Sequence, residues 1–335
     1  MIARRQALLA SAAAAVALGA GIPAFAADIK EINFGILSTE SQATARPNWT
    51  PFLADMEKFT GLKVNAFFAN DYAGVIEGMR FNKVQVAWYG NASAMQAADR
   101  ANAEIFVQST YKTGGDGYYS VLIVNKDSPL HSLEDVVHSP GKLTFGNGDP
   151  NSTSGFLIPS YYAWAKNNID IKKHFTRVIG GNHESNMLAV SAKQVDVATG
   201  NTEDLERFEK NQPERFKEVR VIWKSPLIPS DPIAWRADLP QPEKDKLKAF
   251  FIDYGRPAPG KDAAEMERQV QVLKNLQWGL FKASSNKQLI PIREVALFRD
   301  RLKIENDDSM PAAEKQAKLR EIDDKLAELK KQAGV

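Results

Sequence analysis

The sequence predicts an α/β fold, and three observations carry that reading. Short apolar runs fit for buried strands recur along the chain, beginning with residues 32–37 (INFGIL). Helical periodicity lies between them, as in residues 50–59, where Phe52, Leu53, Met56 and Phe59 share one face. The chain has 335 residues, 44% hydrophobic and 25% charged, which is enough for two cores and too apolar for a disordered polymer.

Taken in order, residues 32–37 are the first strand and 50–59 the first helix. Residues 64–68 read as a second strand with aromatic character, 71–82 as a helix, and 84–89 (VQVAWY) as a third strand. Ser120–Asn125 (SVLIVN) is a fourth; 143–146 and 196–199 are shorter ones followed by loop residues; Val219–Lys224 (VRVIWK) is another. Strands alternating with helices predict βαβ units and a mainly parallel sheet. Residues 225–234 (SPLIPSDPIA) hold three prolines and cannot be a central strand throughout. Residues 241–254 read as an amphipathic helix, and 255–261 after it nearly spell a phosphate loop, G-x-x-x-x-G-K-[ST]. Asp262 stands where a magnesium-binding hydroxyl is required and a helix precedes the glycines, so that motif is rejected. Residues 310–332 are charged, helix-prone and free of glycine, with Leu319, Ile322, Leu326 and Leu329 spaced 3-4-3. Such a seam fits either a helix packed on its own domain or a homodimer contact.

Composition excludes several classes of function. A formal charge of +2 gives no basic footprint for nucleic acid. The absence of cysteine removes disulfides, thiolate metal sites and cysteine nucleophiles. The four histidines are scattered, with no metal-ligand spacing. Residues 1–26 stand apart: Arg4 and Arg5, an Ala-rich apolar run from Ala7 to about Gly21, then Ala24-Phe25-Ala26. This is the pattern of a secretory signal peptide, its apolar core shorter than the roughly 20 residues of a spanning helix. The arginine pair matches the twin-arginine signal loosely, and a bacterial periplasm is the expected destination. Without that segment, 41 basic residues face 41 acidic ones.

The strongest local feature is 146–155 (GNGDPNSTSG), which follows a predicted strand and precedes an apolar, aromatic helical run from Phe156 to Trp164. Ser152, Thr153 and Ser154 therefore sit at a strand-to-helix turn. Unpaired backbone N–H groups there, with three hydroxyls beside them, would seat an oxyanion. A plain N-cap, which needs one hydroxyl, is the other reading. His183 lies in a Gly/Asn-rich loop and is either solvated or a donor to an anion. Glu203 follows the predicted strand 196–199, and Asp231 sits between prolines; each is either a surface turn residue or a group at the carboxyl ends of strands, where ligands meet open sheets. Tyr72 and Tyr118, with Tyr89 and Tyr119, lie at strand ends on the same side. No G-x-S-x-G, H-E-x-x-H or G-x-G-x-x-G pattern supports catalysis.

Eight strings resemble one family: 33–41 (NFGILSTES), 65–69 (NAFFA), 71–74 (DYAG), 79–83 (MRFNK), 87–91 (AWYGN), 120–128 (SVLIVNKDS), 144–156 (TFGNGDPNSTSGF) and 221–229 (VIWKSPLIP). The chain is similar, from about Ile32 to Phe298, to the periplasmic phosphonate-binding component of ABC transporters. The resemblance implies a type II periplasmic binding fold, two α/β lobes with a ligand cleft at a two-strand hinge. Its lobes would be 27–120 plus 230–300, and 121–229, with 301–335 as a C-terminal helical extension and crossings near Ser120–Asn125 and 224–231. It implies a binding protein, not an enzyme, working without a cofactor and delivering a phosphonate to a membrane permease. Carried over by position, Ser152, Thr153 and Ser154 would seat the phosphonate. Tyr72, Tyr118 and His183 would line the pocket, and Glu203 and Asp231 would clasp the amino group of 2-aminoethylphosphonate. Phosphite, phosphate or another small oxyanion is the alternative ligand class; a periplasmic enzyme on the same scaffold is a third reading.

Overall fold

Two mixed sheets, each covered by helices, make up the computed structural model, which describes residues 29–258 and 260–334. The expected signal peptide, 1–26, lies outside the described residues. In chain order the strands are β1 (Glu31–Ile36), β2 (Lys63–Phe68), β3 (Val86–Trp88), β4 (Ala103–Gln108), β5 (Gly117–Tyr118), β6 (Ser120–Asn125), β7 (Thr144–Asn147), β8 (Arg177–Gly180), β9 (Val197–Asn201), β10 (Val219–Lys224), β11 (Ile228–Pro229), β12 (Pro232–Arg236) and β13 (Lys282–Ala283). The first sheet runs β13-β4-β12-β3-β1-β2 and the second β10-β6-β9-β7-β8. The chain leaves the first at β5 and returns to it after β11, and these two short strands pair antiparallel as a ribbon between the sheets.

The expectation of a mainly parallel sheet is corrected. β1 runs parallel to β2 and β3, and β7 parallel to β8 and β9, but β12 is antiparallel to β3 and β4, and β6 antiparallel to β9 and β10. The chain enters β6 and β12 from the opposite lobe, so the crossing sets their direction in place of a βαβ unit. Ser120–Asn125, expected at a crossing, lies wholly inside the second sheet, and the ribbon residues are Gly117–Tyr118 and Ile228–Pro229. A central strand also emerges from the proline-rich return: β12 begins at Pro232, where a missing N–H costs least.

Packing explains the apolar runs. In β1, Ile32, Phe34 and Ile36 are fully buried. They meet an aromatic core that includes Trp49, Phe52, Phe250, Phe251, Tyr254, Trp278 and Phe281. β6 is apolar on consecutive residues because both its faces are covered: Leu122 and Val124 meet Phe145, Trp164 and Phe175, while Val121 and Ile123 meet Met187, Val190, Leu205 and Phe208. The first helix begins earlier than its periodicity suggests, at Gln42 (Gln42–Thr60), although Pro47 and Pro51 lie within it. Ser41 starts it as N-cap, its Oγ accepting from the Thr44 N–H at 3.2 Å.

Two C-terminal helices follow, Ile290–Glu305 and Ala312–Ala333. Ile292, on the first, packs with Ala92 of the first lobe and Leu157 of the second, and Val295 packs against Tyr118, Ile158 and Ile228 beside the ribbon. Arg293 donates to Asp99 at 2.9 Å. The last helix lies on Ile290–Glu305, with Arg301 bonded to Asp323 at 3.0 Å and Ile322, Leu326 and Leu329 buried. The 3-4-3 seam, open in sequence between its own domain and a second copy, is covered here by its own chain.

Candidate ligand-binding site

The two sheets place their functional side chains around one narrow cleft with a cavity volume of about 20 Å³. Its wall in the second lobe is the turn after β7. Gly148 N–H donates to the Gly155 carbonyl at 3.1 Å, and Ser152 Oγ accepts from Gly155 N–H at 2.9 Å. The helical run from 153 to 167 then starts with π-helical turns, the first spanning Thr153–Leu157, so the turn bearing the hydroxyls is wider than an α-helical one. Ser152, Thr153 and Ser154 are each 2% exposed. Thr153 Oγ1 accepts from Ala92 N–H of the first lobe at 2.8 Å, and Ser154 Oγ accepts from Asn201 Nδ2 at 3.2 Å. As an acceptor in its bond, the Thr153 hydroxyl keeps its own proton to donate.

His183 is corrected from loop to helix: it opens Asn182-capped His183–Ser191 and is buried. Its Nε2 lies 3.5 Å from Ser152 Oγ, 3.4 Å from Ser154 Oγ and 3.8 Å from an Asp204 oxygen, while Nδ1 has no partner among the described residues. Burial pulls its pKa down against the pull of Asp204, so the ring is neutral at pH 7. These three residue types suggest a hydrolase triad, but hydroxyls and carboxylate all meet the same ring nitrogen. A triad needs the acid on the other nitrogen, holding the tautomer, and that placement is not the one here.

The opposite wall is acidic. Asp231, at the entry to β12, accepts from Tyr118 OH at 3.0 Å through one oxygen and from Trp88 Nε1 at 3.1 Å through the other. Burial pushes its pKa up to about 7 against those two bonds. Glu203 lies in the first turn of helix Thr202–Asn211, capped by Asn201. Only 8% exposed, it has no side-chain hydrogen bond among the described residues, and burial followed by repulsion from Asp231 pushes its pKa well above the carboxylate range. Neither acid is the surface turn residue that sequence left possible. Tyr72 opens helix Tyr72–Arg80; burial raises the Tyr72 and Tyr118 hydroxyls, which remain O–H donors at neutral pH.

The eight residues singled out from the sequence thus line one cleft, together with Leu37, Thr39, Trp88, Asn201, Asp204 and Arg207. The last three were not foreseen. Asn201 Nδ2 links Ser154 Oγ to Asp204 Oδ2, the latter at 2.7 Å, and Arg207 pairs with Asp204. The signal was a helix-start pattern, N-T-E-D-x-x-R, whose local capping role hides the cleft beyond it.

Comparison with known proteins gives the family. The family model described as the phosphonate ABC transporter periplasmic substrate-binding protein matches residues 34–289. The chain belongs to that family. It is 54% identical over 300 residues to the phosphonates-binding periplasmic protein of Escherichia coli K12, covering 90% of this chain and 86% of that one. A binding protein component of an ABC phosphonate transporter from Pseudomonas aeruginosa superposes with a TM-score of 0.87 at 52% identity, over 92% of this chain and 99% of the other. PhnD1 of Prochlorococcus marinus, solved with methylphosphonate, shares the fold at 21% identity, with a TM-score of 0.69 over 80% of this chain and 97% of that one. The architecture is the two-lobed type II periplasmic binding fold, and membership makes the chain a periplasmic substrate-binding component of a phosphonate transporter.

Proposed function

We propose that the cleft binds alkylphosphonates, that aminoalkylphosphonates such as 2-aminoethylphosphonate suit it best, and that the closed, liganded form is delivered to the membrane permease. One observation carries the reading: three hydroxyls at a helix start, and two buried acids of which one lacks a hydrogen-bond partner, face the same space. A phosphonate would accept from Ser152, Thr153, Ser154 and the amides beside them. An ammonium would meet Glu203 and the lone pairs of Asp231 that Tyr118 and Trp88 leave free. An ion pair at about 4 Å gains roughly 4 kcal/mol at an effective dielectric of 20, less what desolvation removes. Helix terminus and charge-assisted bonds of about 1.5–3 kcal/mol each can reach the roughly −12 kcal/mol of a nanomolar complex. The neutral His183, with hydroxyl and acid on a single nitrogen, supports binding without turnover. Phosphite and phosphate need no acidic wall, which disfavours them.

A thermal-shift panel tests the reading. We expect 2-aminoethylphosphonate to raise the melting temperature most, methylphosphonate less, and phosphate and phosphite least, since stabilisation follows affinity. A larger shift with phosphate or phosphite would overturn the aminoalkylphosphonate assignment. Thr153→Val should weaken every phosphonate about five- to tenfold in calorimetric titrations, because it removes a donor at the shared pole. Unchanged affinities would remove Thr153 from the seat.

The acids also set a pH dependence. Below about 7, Asp231 holds a proton, and Glu203 holds one at still higher pH than a free carboxylate. An ammonium requires both groups ionised, so its binding expels these protons and tightens as pH rises. Titration of the phosphonate itself is common to both ligands and cancels in their ratio. The preference for 2-aminoethylphosphonate over methylphosphonate should therefore grow about tenfold between pH 5.5 and 8. Calorimetry at the two pH values checks this; a constant ratio would show that the acids do not read the amine. For the empty protein the sign is opposite. Raised carboxyl pKa values favour the fold at low pH, and that contribution is lost as pH rises through the folded values.

A further inference from the structure

Three helices of the first lobe point their N-termini at the second lobe, and in each case an oxygen of the second lobe receives an N–H there. Glu184 Oε2 accepts from Ser41 N–H at 2.7 Å, and Oε1 accepts from Thr44 Oγ1 at 3.0 Å, at the start of Gln42–Thr60. Asp149 Oδ2 accepts from Tyr72 N–H at 3.2 Å, at the start of Tyr72–Arg80. Thr153 Oγ1 accepts from Ala92 N–H at 2.8 Å, at the start of Asn91–Arg100. That third helix has Gly90 as N-cap and no cap of its own, and a Cβ at Gly90 would come within 3.0 Å of Thr153 Oγ1. The first is half of a capping box. Ser41 Oγ accepts from Thr44 N–H in the usual way, but the third helical position is Thr44, too short to return the bond to Ser41 N–H. Glu184 supplies that missing carboxylate from across the cleft.

We propose that Glu184 and Asp149, with Thr153, act as a closure latch: they cap the opposite lobe's helices in trans and set the balance between open and closed forms, whichever phosphonate is bound. Opening breaks all these bonds together and leaves the helix starts to water. A carboxylate at a helix N-terminus is worth enough to shift such a balance several-fold. Glu184 and Asp149 are outside the set of residues that line the cleft, so they act through closure and not by ligand contact. The proposal rests on the cleft as the ligand site, and its test separates the two ideas.

Glu184→Ala should raise the Kd of methylphosphonate and 2-aminoethylphosphonate by the same factor, about fivefold, through a faster koff, with their ratio unchanged. Thr44→Val, which removes one of the two Glu184 bonds from the other side, should have a smaller effect, and the double variant should be no weaker than Glu184→Ala alone. Affinities unchanged within about twofold, or a loss confined to one ligand, would overturn the latch. A ligand-free measurement keeps the idea testable even if neither phosphonate binds the native protein. The chain has no cysteine, so Lys83→Cys and Lys172→Cys place one spin label on each lobe. Electron–electron distances should lengthen in Glu184→Ala relative to native; identical distributions would also overturn the proposal.

Discussion

Glu203→Ala should lower the affinity for 2-aminoethylphosphonate about 10–100-fold and that for methylphosphonate less than about threefold, measured by calorimetry at pH 8. The asymmetry follows from the surroundings of the two acids. Asp231 has a hydrogen bond on each oxygen, whereas Glu203 is buried with none among the described residues. An ammonium is the group that would relieve Glu203, and a methyl group would not. Asp231 remains in this variant, its carboxyl pushed up first by burial and not by Glu203, and it can still ionise against an ammonium. The ionised Asp231 recovers part of the lost attraction, which bounds the effect of the single substitution. Asp231→Asn added to Glu203→Ala should remove the remaining amine selectivity. Equal losses for both ligands in the single variant would mean that Glu203 holds the cleft together and does not read the amine.

Gly148→Ala should abolish tight binding of every phosphonate, by more than about 100-fold, and lower the melting temperature of the empty protein. A Cβ at position 148 would lie 2.5 Å from both the carbonyl carbon and oxygen of Gly155, and 2.6 Å from its Cα. These are backbone atoms of the turn that carries Ser152, Thr153 and Ser154, so no side chain can swing away to make room. The bond from Gly148 N–H to the Gly155 carbonyl, 3.1 Å, would be forced open and the hydroxyls displaced with it. Gly180→Ala is the control, since a Cβ there meets nothing within 4 Å. Circular dichroism melts and titrations of both variants check the expectation; a Gly148→Ala protein that binds normally would show that the turn is not the anion seat.

Strand β6 was legible because burial on both faces leaves an unbroken apolar run, and β1 because Ile32, Phe34 and Ile36 alternate into the core. Strand direction was not. β6 and β12 run antiparallel to their sheet neighbours because of where the chain crosses, and nothing within either strand records that. β12 was hidden by the prolines before it, and the start of the first helix by Pro47 and Pro51. In the site, Ser152–Ser154 stood out because three hydroxyls exceed a cap's needs. His183, Glu203 and Asp231 read ambiguously from their own neighbourhoods, and family resemblance supplied the roles proposed for them. Arg207 and Asp204 were missed because a pair spaced i, i+3 in a helix looks like surface chemistry until the fold buries it.

Helix Ile290–Glu305, packed on both lobes beside the ribbon, works like a splint along a book's spine. Twisting or sliding one cover over the other would tear Ile292 from Ala92 or Leu157, so the easy motion is a single swing about the bound edge. A ligand would then enter and leave by the fore-edge, away from that helix.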